Sequence, residues 1–121
     1  RVIIKKILTS REKAKVIAQF AFDKKAEDII VLDMRKVVNF CDYFVICSGT
    51  SDRHVKAIAE GIEEGLENLS VDTSAKDGLK DCSWVAFDSG DVIAHVFQKD
   101  RREFYSLEYL WQEAKIVKWV K

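Results

Sequence analysis

Two short runs, residues 28–33 and 42–48, have polar residues only at their ends and carry Ile, Val, Leu, Tyr, Phe and Cys between them with no polar alternation. Such runs fit strands covered on both faces, because a half-exposed strand would alternate apolar with polar side chains. A sheet of this kind needs amphipathic helices to cover it. Ala14, Ile17, Ala18, Ala21 and Phe22 recur at helical spacing behind Thr9 and Glu12, a capping-box pair, which predicts a helix over about 10–24. Val55, Ile58, Ala59, Ile62, Leu66 and Leu69 predict a second helix, opposite a face of Glu60, Glu63, Glu64 and Glu67. Thr50 or Ser51 is its N-cap, with Asp52 near the positive end of the helix dipole. Gly61 and Gly65, four apart, mark either the close approach of another element or simply a weak helix.

Residues 34–41 read as a loop, and 70–82 as a polar, acidic connection with a turn at Asp77-Gly78. Residues 83–88 and 91–97 are strand-like, and Ser89-Gly90 between them is a two-residue hairpin signal. Asp100 and Glu103 open a last helix, about 101–117, with Phe104, Leu107, Trp111 and Ala114 on its apolar stripe. The order α-β-β-α-β-β-α predicts a small α/β sandwich around a mixed sheet, in one domain spanning residues 1–121. Residues 1–9 form an extension or tail: an added strand, a longer first helix, or an ordered end.

Composition excludes several classes. Lys plus Arg equals Asp plus Glu at 20 each, and a chain of zero net charge is a poor binder of DNA or RNA through its own field. No apolar run reaches the roughly 18 residues of a membrane span. Aromatic residues at 11% and apolar residues at 48% exclude disorder. The three cysteines, Cys41, Cys47 and Cys82, are odd in number and not in C-x-x-C spacing, and only two His accompany them. Neither a zinc site nor a disulfide framework is expected, and the cysteines read as small apolar residues in a reducing compartment.

With Ser89 and Gly90 as the turn, Trp84 pairs with His95 and Phe87 with Val92. One hairpin face then holds Val85, Phe87, Val92, Ala94 and Val96, and is core. The other holds Trp84, Ala86, Asp88, Asp91, Ile93, His95 and Phe97. Two readings of this mixed face stand side by side. Either it is an interface with aromatic anchors, or Trp84 and Phe97 lie under the last helix with His95 satisfied by a backbone group. A one-residue slip would exchange the two faces. Charge is uneven as well: residues 1–25 are basic, and residues 60–91 carry nine acidic residues against Lys76 and Lys80. An acidic middle is either solvated surface or a field that steers the chain to a basic protein.

Evidence of catalysis is thin. The Ser48–Ser51 loop joins a strand end to a helix start and is able to hold an anion, but no Walker lysine or G-x-G-x-x-G accompanies it. Asp88 and Asp91 are the nearest pair of carboxylates for a two-metal nucleotidyl-transfer site, and such residues more often cap turns. His54 stands in the first turn of the second helix, where an imidazolium is disfavoured.

These segments resemble the Iojap-like ribosomal silencing factors, the RsfS family. The resemblance runs over about residues 11–115, in five blocks in order: 24–33, 41–51, 53–59, 84–97 and 102–111. The most specific block, Asp42-Tyr43-Phe44-Val45-Ile46 followed by Ser48-Gly49-Thr50-Ser51, is similar to the family's D-Y-F-V-I-x-[ST]-G-x-S. Three positions depart: His54 where the family has Gln, Ser89 where it has Tyr, and Asp77 where it has Glu. The loss of an aromatic at 89 weakens any contact made at the hairpin tip.

The resemblance implies a nucleotidyltransferase-like fold without catalytic carboxylates, and hence no enzyme activity and no cofactor. It implies binding to ribosomal protein L-fourteen on the large subunit, steric exclusion of the small subunit, and repression of translation when nutrients are short. A role in large-subunit biogenesis comes with the organellar relatives. Face assignment, not the resemblance, selects the contact residues: Trp84, Asp88, His95 and Phe97, then Tyr43, with Tyr105 and Trp111 supporting from the last helix. Two other readings stay open. One is a nucleotide-binding enzyme using the Ser48–Ser51 loop and a metal at Asp88 and Asp91; the other is a homodimeric adaptor built on the aromatic face. No DNA or membrane partner is expected. The small extent beyond the core favours a bacterial cytoplasmic chain over an organellar one freed of its presequence.

Overall fold

A computed structural model describes residues 8–71, 83–100 and 113–119, and the backbone of 75–77. Helix α1 (Ser10–Asp23) and strands β1 (Glu27–Asp33) and β2 (Tyr43–Gly49) lead to helix α2 (Asp52–Asn68). Strands β3 (Ala75–Asp77), β4 (Trp84–Asp88), β5 (Val92–Gln98) and β6 (Lys115–Val117) follow. They form one sheet in the order β3-β4-β5-β2-β1-β6. β2 and β5 run parallel, and the other neighbours are antiparallel. This is the expected mixed-sheet α/β architecture.

Local chemistry explains the helices. Thr9 accepts from the Glu12 amide while Glu12 Oε1 accepts from the Thr9 amide, a closed capping box. Of the two candidates at α2, Ser51 is the N-cap, its Oγ accepting from the His54 amide at 3.2 Å. Both helices end in the same six-residue device. Lys25 and Ser70 take left-handed backbones at φ 62° and 58°, and Ala26 and Val71 donate back to Ala21 and Leu66. These are Schellman caps without the glycine that normally serves them.

The sheet has two covered faces. On one, α1 and α2 pack Ala14, Ile17, Ala18, Val55, Ile58, Ile62 and Leu66 against Val31, Tyr43, Val45, Val85, Phe87, Ala94 and Val96. On the other, Leu32, Phe44, Ile46 and Phe97 gather with Met34 and Cys41 from the β1–β2 loop and with Ala114. Every residue of β2 is buried, the two-sided cover that its unbroken apolar run predicts. β1 is buried only at Val31 and Leu32, so its cover is narrower than predicted. Phe22, placed on the α1 stripe, is instead 57% exposed, beside Trp119 at a 5.8 Å ring separation. The helix has to meet α2 as well as the sheet, and Phe20 makes that second contact, its ring lying where a Cβ on Gly65 would stand.

Three strand expectations need correction. β4 and β5 pair Trp84 with Phe97 and Ala86 with His95, two residues from the predicted register. The turn is centred on Gly90, at φ 96°, and Asp91 rather than on Ser89 and Gly90. Only the first central residue has positive φ, the type II′ pattern that glycine permits. A slip of two preserves the faces, so the division into core and mixed sides stands. The polar connection holds a short strand, β3. Residues 115–117, read as the end of the last helix, are strand β6, because the Ile116-Val117 stretch completes the outer edge of β1 at Val31, Leu32 and Asp33. Residues 113–114 of that predicted helix are a turn and bend leading into β6, and 101–112 lie outside the described residues, as do 1–7.

Candidate functional site

The mixed face of the hairpin is an aromatic cluster that grades from core to surface. Phe97 is fully buried, Phe44 and His95 are 4% and 7% exposed, Trp84 is half-buried and Phe40 is 56% exposed. Trp84 lies over Phe97 with ring centres 5.0 Å apart and planes at 27°. The His95 ring meets Phe44 edge-on at 4.7 Å, and Phe44 reaches Phe40 at 6.4 Å. Trp84 and His95 share a face because side chains alternate along paired strands.

One hydrogen bond fixes the polar atoms. Trp84 Nε1–H donates to His95 Nδ1 at 3.0 Å. Nδ1 is therefore the acceptor and the imidazole proton sits on Nε2, which is buried and has no hydrogen-bond partner. Burial among aromatic rings pushes the His95 pKa down from 6.5 to about 4, so the ring is neutral at physiological pH. The predicted backbone partner for His95 is thus replaced by the Trp84 indole.

Tyr43 is not part of this cluster. It is 1% exposed and points to the helix-covered core, with the Arg35 guanidinium 5.4 Å from its ring centre. Phe44, one residue on, holds the place on the mixed face. Phe97 and His95 are covered as well, which leaves Trp84 and Asp88 as the half-exposed members of the expected set. Tyr105 and Trp111 lie outside the described residues. Phe40 and Phe44 were missed by sequence reasoning. Alternation along β2 separates Tyr43 from Phe44, but only the parallel pairing of Phe44 with Ile93 shows which of the two lies beside His95.

The tip of the hairpin is tied down. Lys13 Nζ bonds Asp91 Oδ1 at 2.7 Å and the Ser89 carbonyl at 3.1 Å, and the Asp42 and Tyr43 amides both donate to the Asp91 carbonyl. Asp88 Oδ1 accepts from the Gly90 amide at 2.8 Å. Both carboxylates thus act in turn and ion-pair chemistry, the alternative to a metal pair. Among the described residues no group of three His, Cys, Asp or Glu gathers for a metal.

The Ser48–Ser51 loop is similarly occupied. His54 Nδ1 accepts from the Thr50 amide at 2.9 Å, and Nε2–H donates to the Lys24 carbonyl at 2.9 Å. His54 therefore clips the start of α2 to the end of α1. A Cβ on Gly49 would stand 2.9 Å from the Val55 backbone, so the loop's glycine serves close packing. No described helix is long and apolar enough to cross a membrane.

With this geometry in place, kinship becomes informative. A family model described as "Ribosomal silencing factor during starvation" matches residues 7–121. The chain is 42% identical over 102 residues to the Ribosomal silencing factor RsfS of Bacillus subtilis, covering 84% of this chain and 86% of that protein. It is 34% identical over 110 residues to the RsfS of Halalkalibacterium halodurans, covering 91% of this chain and 94% of the relative. A crystal structure of a Chromobacterium violaceum protein superposes with a TM-score of 0.85 at 32% identity, covering 94% of this chain and 95% of that one. The chain belongs to the ribosomal silencing factor (RsfS) family, as the five sequence blocks implied.

Proposed function

We propose that this chain is a non-enzymatic ribosomal silencing factor. It binds ribosomal protein L-fourteen on the large subunit, occupies part of the subunit-joining face, and excludes the small subunit by its bulk. Translation then falls under nutrient limitation, and the same contact serves large-subunit assembly. The observation that carries this reading is family membership over residues 7–121. The structure adds support: the carboxylates and loop that an enzyme would need are engaged in turns, an ion pair and a helix clip. Steric exclusion needs no chemistry, only an interface of ordinary size. The contact is built on the mixed face of the hairpin, with half-buried Trp84 and Asp88 at its surface and Phe97 and His95 behind them. The site of action is the cytoplasm, where ribosomes are met.

Density-gradient co-sedimentation tests the proposal. The purified protein is mixed with large ribosomal subunits from Bacillus subtilis, and small subunits are then added. Migration with the large subunit and loss of joined ribosomes is the expected result. Protein left at the top of the gradient, with normal joining, overturns it.

A further inference from the structure

Helix α1 carries one line of side chains that neither the buried core nor α2 takes up. Arg11, Lys15 and Phe22 stand within about 40° of one another around the helix and span about 16 Å of its length. Phe20 and Lys24, on the other flank, are the residues that meet α2, at Gly65 and Gly61. Arg11 is exposed, Lys15 is half-buried, and Phe22 is 57% exposed beside the Trp119 ring, with centres 5.8 Å apart. The two carboxylates of the helix lie roughly 60–120° away from this line, and both are engaged. Glu12 closes the capping box, and Asp23 Oδ1 accepts from Gln19 Nε2 at 2.9 Å.

Arg11 and Lys15 make no ion pair among the described residues. Arg11 also stands in the first turn, at the positive end of the helix dipole, where a cation is disfavoured. Helix stability therefore does not account for it. Two unpaired cations one turn apart attract neighbouring anionic groups. An aromatic ring more than half in solvent on the same line adds a surface on which a flat base stacks. Phosphates and bases together are the chemistry of RNA. An acidic protein surface would use the cations and have no need of the ring.

We propose that this line on α1 is a second contact with the large ribosomal subunit, made to RNA: Arg11 and Lys15 meet phosphates of one strand, and Phe22 meets a base beside them. The proposal rests on the proposed binding to the large subunit. The zero net charge of the whole chain is compatible with it. Such a chain has no long-range field to find RNA, and a local pair of cations acts only at short range. Docking elsewhere on the subunit supplies the proximity, after which the RNA contact forms at high effective concentration.

Binding of the full chain to isolated large subunits over a range of salt concentrations, with chemical footprinting of the subunit RNA, tests the proposal. Arg11→Gln combined with Lys15→Gln is expected to weaken binding about tenfold and to lower the slope of log affinity against log salt by about 2, one for each lost phosphate contact. Phe22→Leu keeps an apolar side chain against Trp119 but removes the ring, and is expected to weaken binding several-fold with the slope unchanged. The native chain protects a stretch of RNA that the double variant leaves reactive. Should the double variant not fold, Arg11→Gln alone carries the test, with a slope change of about 1. An unchanged slope overturns the RNA contact. So does a lowered slope with the same RNA protection, which would assign the cations to an acidic protein surface. Native protein that fails to bind large subunits at any salt overturns the proposed function and this contact together, whereas native binding that the variants leave unaltered overturns this contact alone.

Discussion

The point where a Cβ on Gly65 would stand lies 2.5 Å from the ring of Phe20. Any side chain there would displace the Phe20 ring. Gly61, one turn earlier, has the aliphatic stem of Lys24 as its nearest neighbour, at 2.7 Å. The two glycines share a helix and a propensity cost but not a neighbour. Gly65→Ala is expected to destabilise by about 1–3 kcal/mol, since the methyl group would force the Phe20 ring off its packing against the core. Gly61→Ala is expected to be neutral or stabilising by up to about 1 kcal/mol, because the lysine stem swings aside and the helix gains propensity. Urea unfolding of the two variants separates these outcomes.

Ser70 and Lys25 hold left-handed backbones at the ends of the helices. An L-residue there costs roughly 1 kcal/mol relative to glycine. Ser70→Gly is therefore expected to raise the thermal midpoint by a few degrees. A fall would mean that the serine side chain contributes more than its backbone costs.

Acid stability depends on His95. Its folded pKa is about 4, below the ordinary 6.5, so between those values the unfolded chain takes up a proton that the folded chain refuses. Stability is fully present above pH 6.5, falls as pH drops through the window, and levels off below pH 4 as far as this residue is concerned. The total is about 3 kcal/mol, at 1.36 kcal/mol per unit. His95→Asn removes this part of the slope, so the difference between the two stability–pH curves measures it. Parallel curves would show that the ring charges freely in the fold.

The thiols of Cys41 and Cys47 are buried, and burial pushes Cys41 up to about 11. A protonated, covered thiol is a poor nucleophile. Brief iodoacetamide treatment at pH 8 is expected to leave both cysteines unlabelled in the native protein and to label both in urea, read by peptide mass spectrometry. Rapid native labelling of Cys41 would mean that the β1–β2 loop opens.

What could be read from the chain alone was what is local. The capping box at Thr9 and Glu12, the apolar stripes of both helices and the unbroken run of β2 each lie within a few turns or one strand. β3 and β6, three residues each, carry no pattern of their own and exist because a neighbouring strand has an edge to fill. The hairpin faces were legible because alternation survives an error of two in register. The helix ends were read to within a residue from the end of each apolar stripe, although the left-handed caps at Lys25 and Ser70 carry no glycine to announce them. At the candidate site, Trp84, His95 and Phe97 were grouped correctly on one face, while Tyr43 was chosen over Phe44. Alternation tells that the two point apart, and only the parallel partner β5 decides which of them meets His95.

That parallel pairing also governs how the chain can assemble. Tyr43 lies beside Val92, about fifty residues later, and the outer edge of β1 is closed by residues 115–117. The middle of the sheet cannot form until a long loop has closed, and its rim waits for residues 115–117. Such non-local pairings fold slowly compared with helical bundles of the same size. While it is being synthesised, the chain lacks the partner of β2 until residues 92–98 are made and the outer strand until residues 115–117 are made. The native sheet is therefore complete only once residues 115–117 have joined the edge of β1.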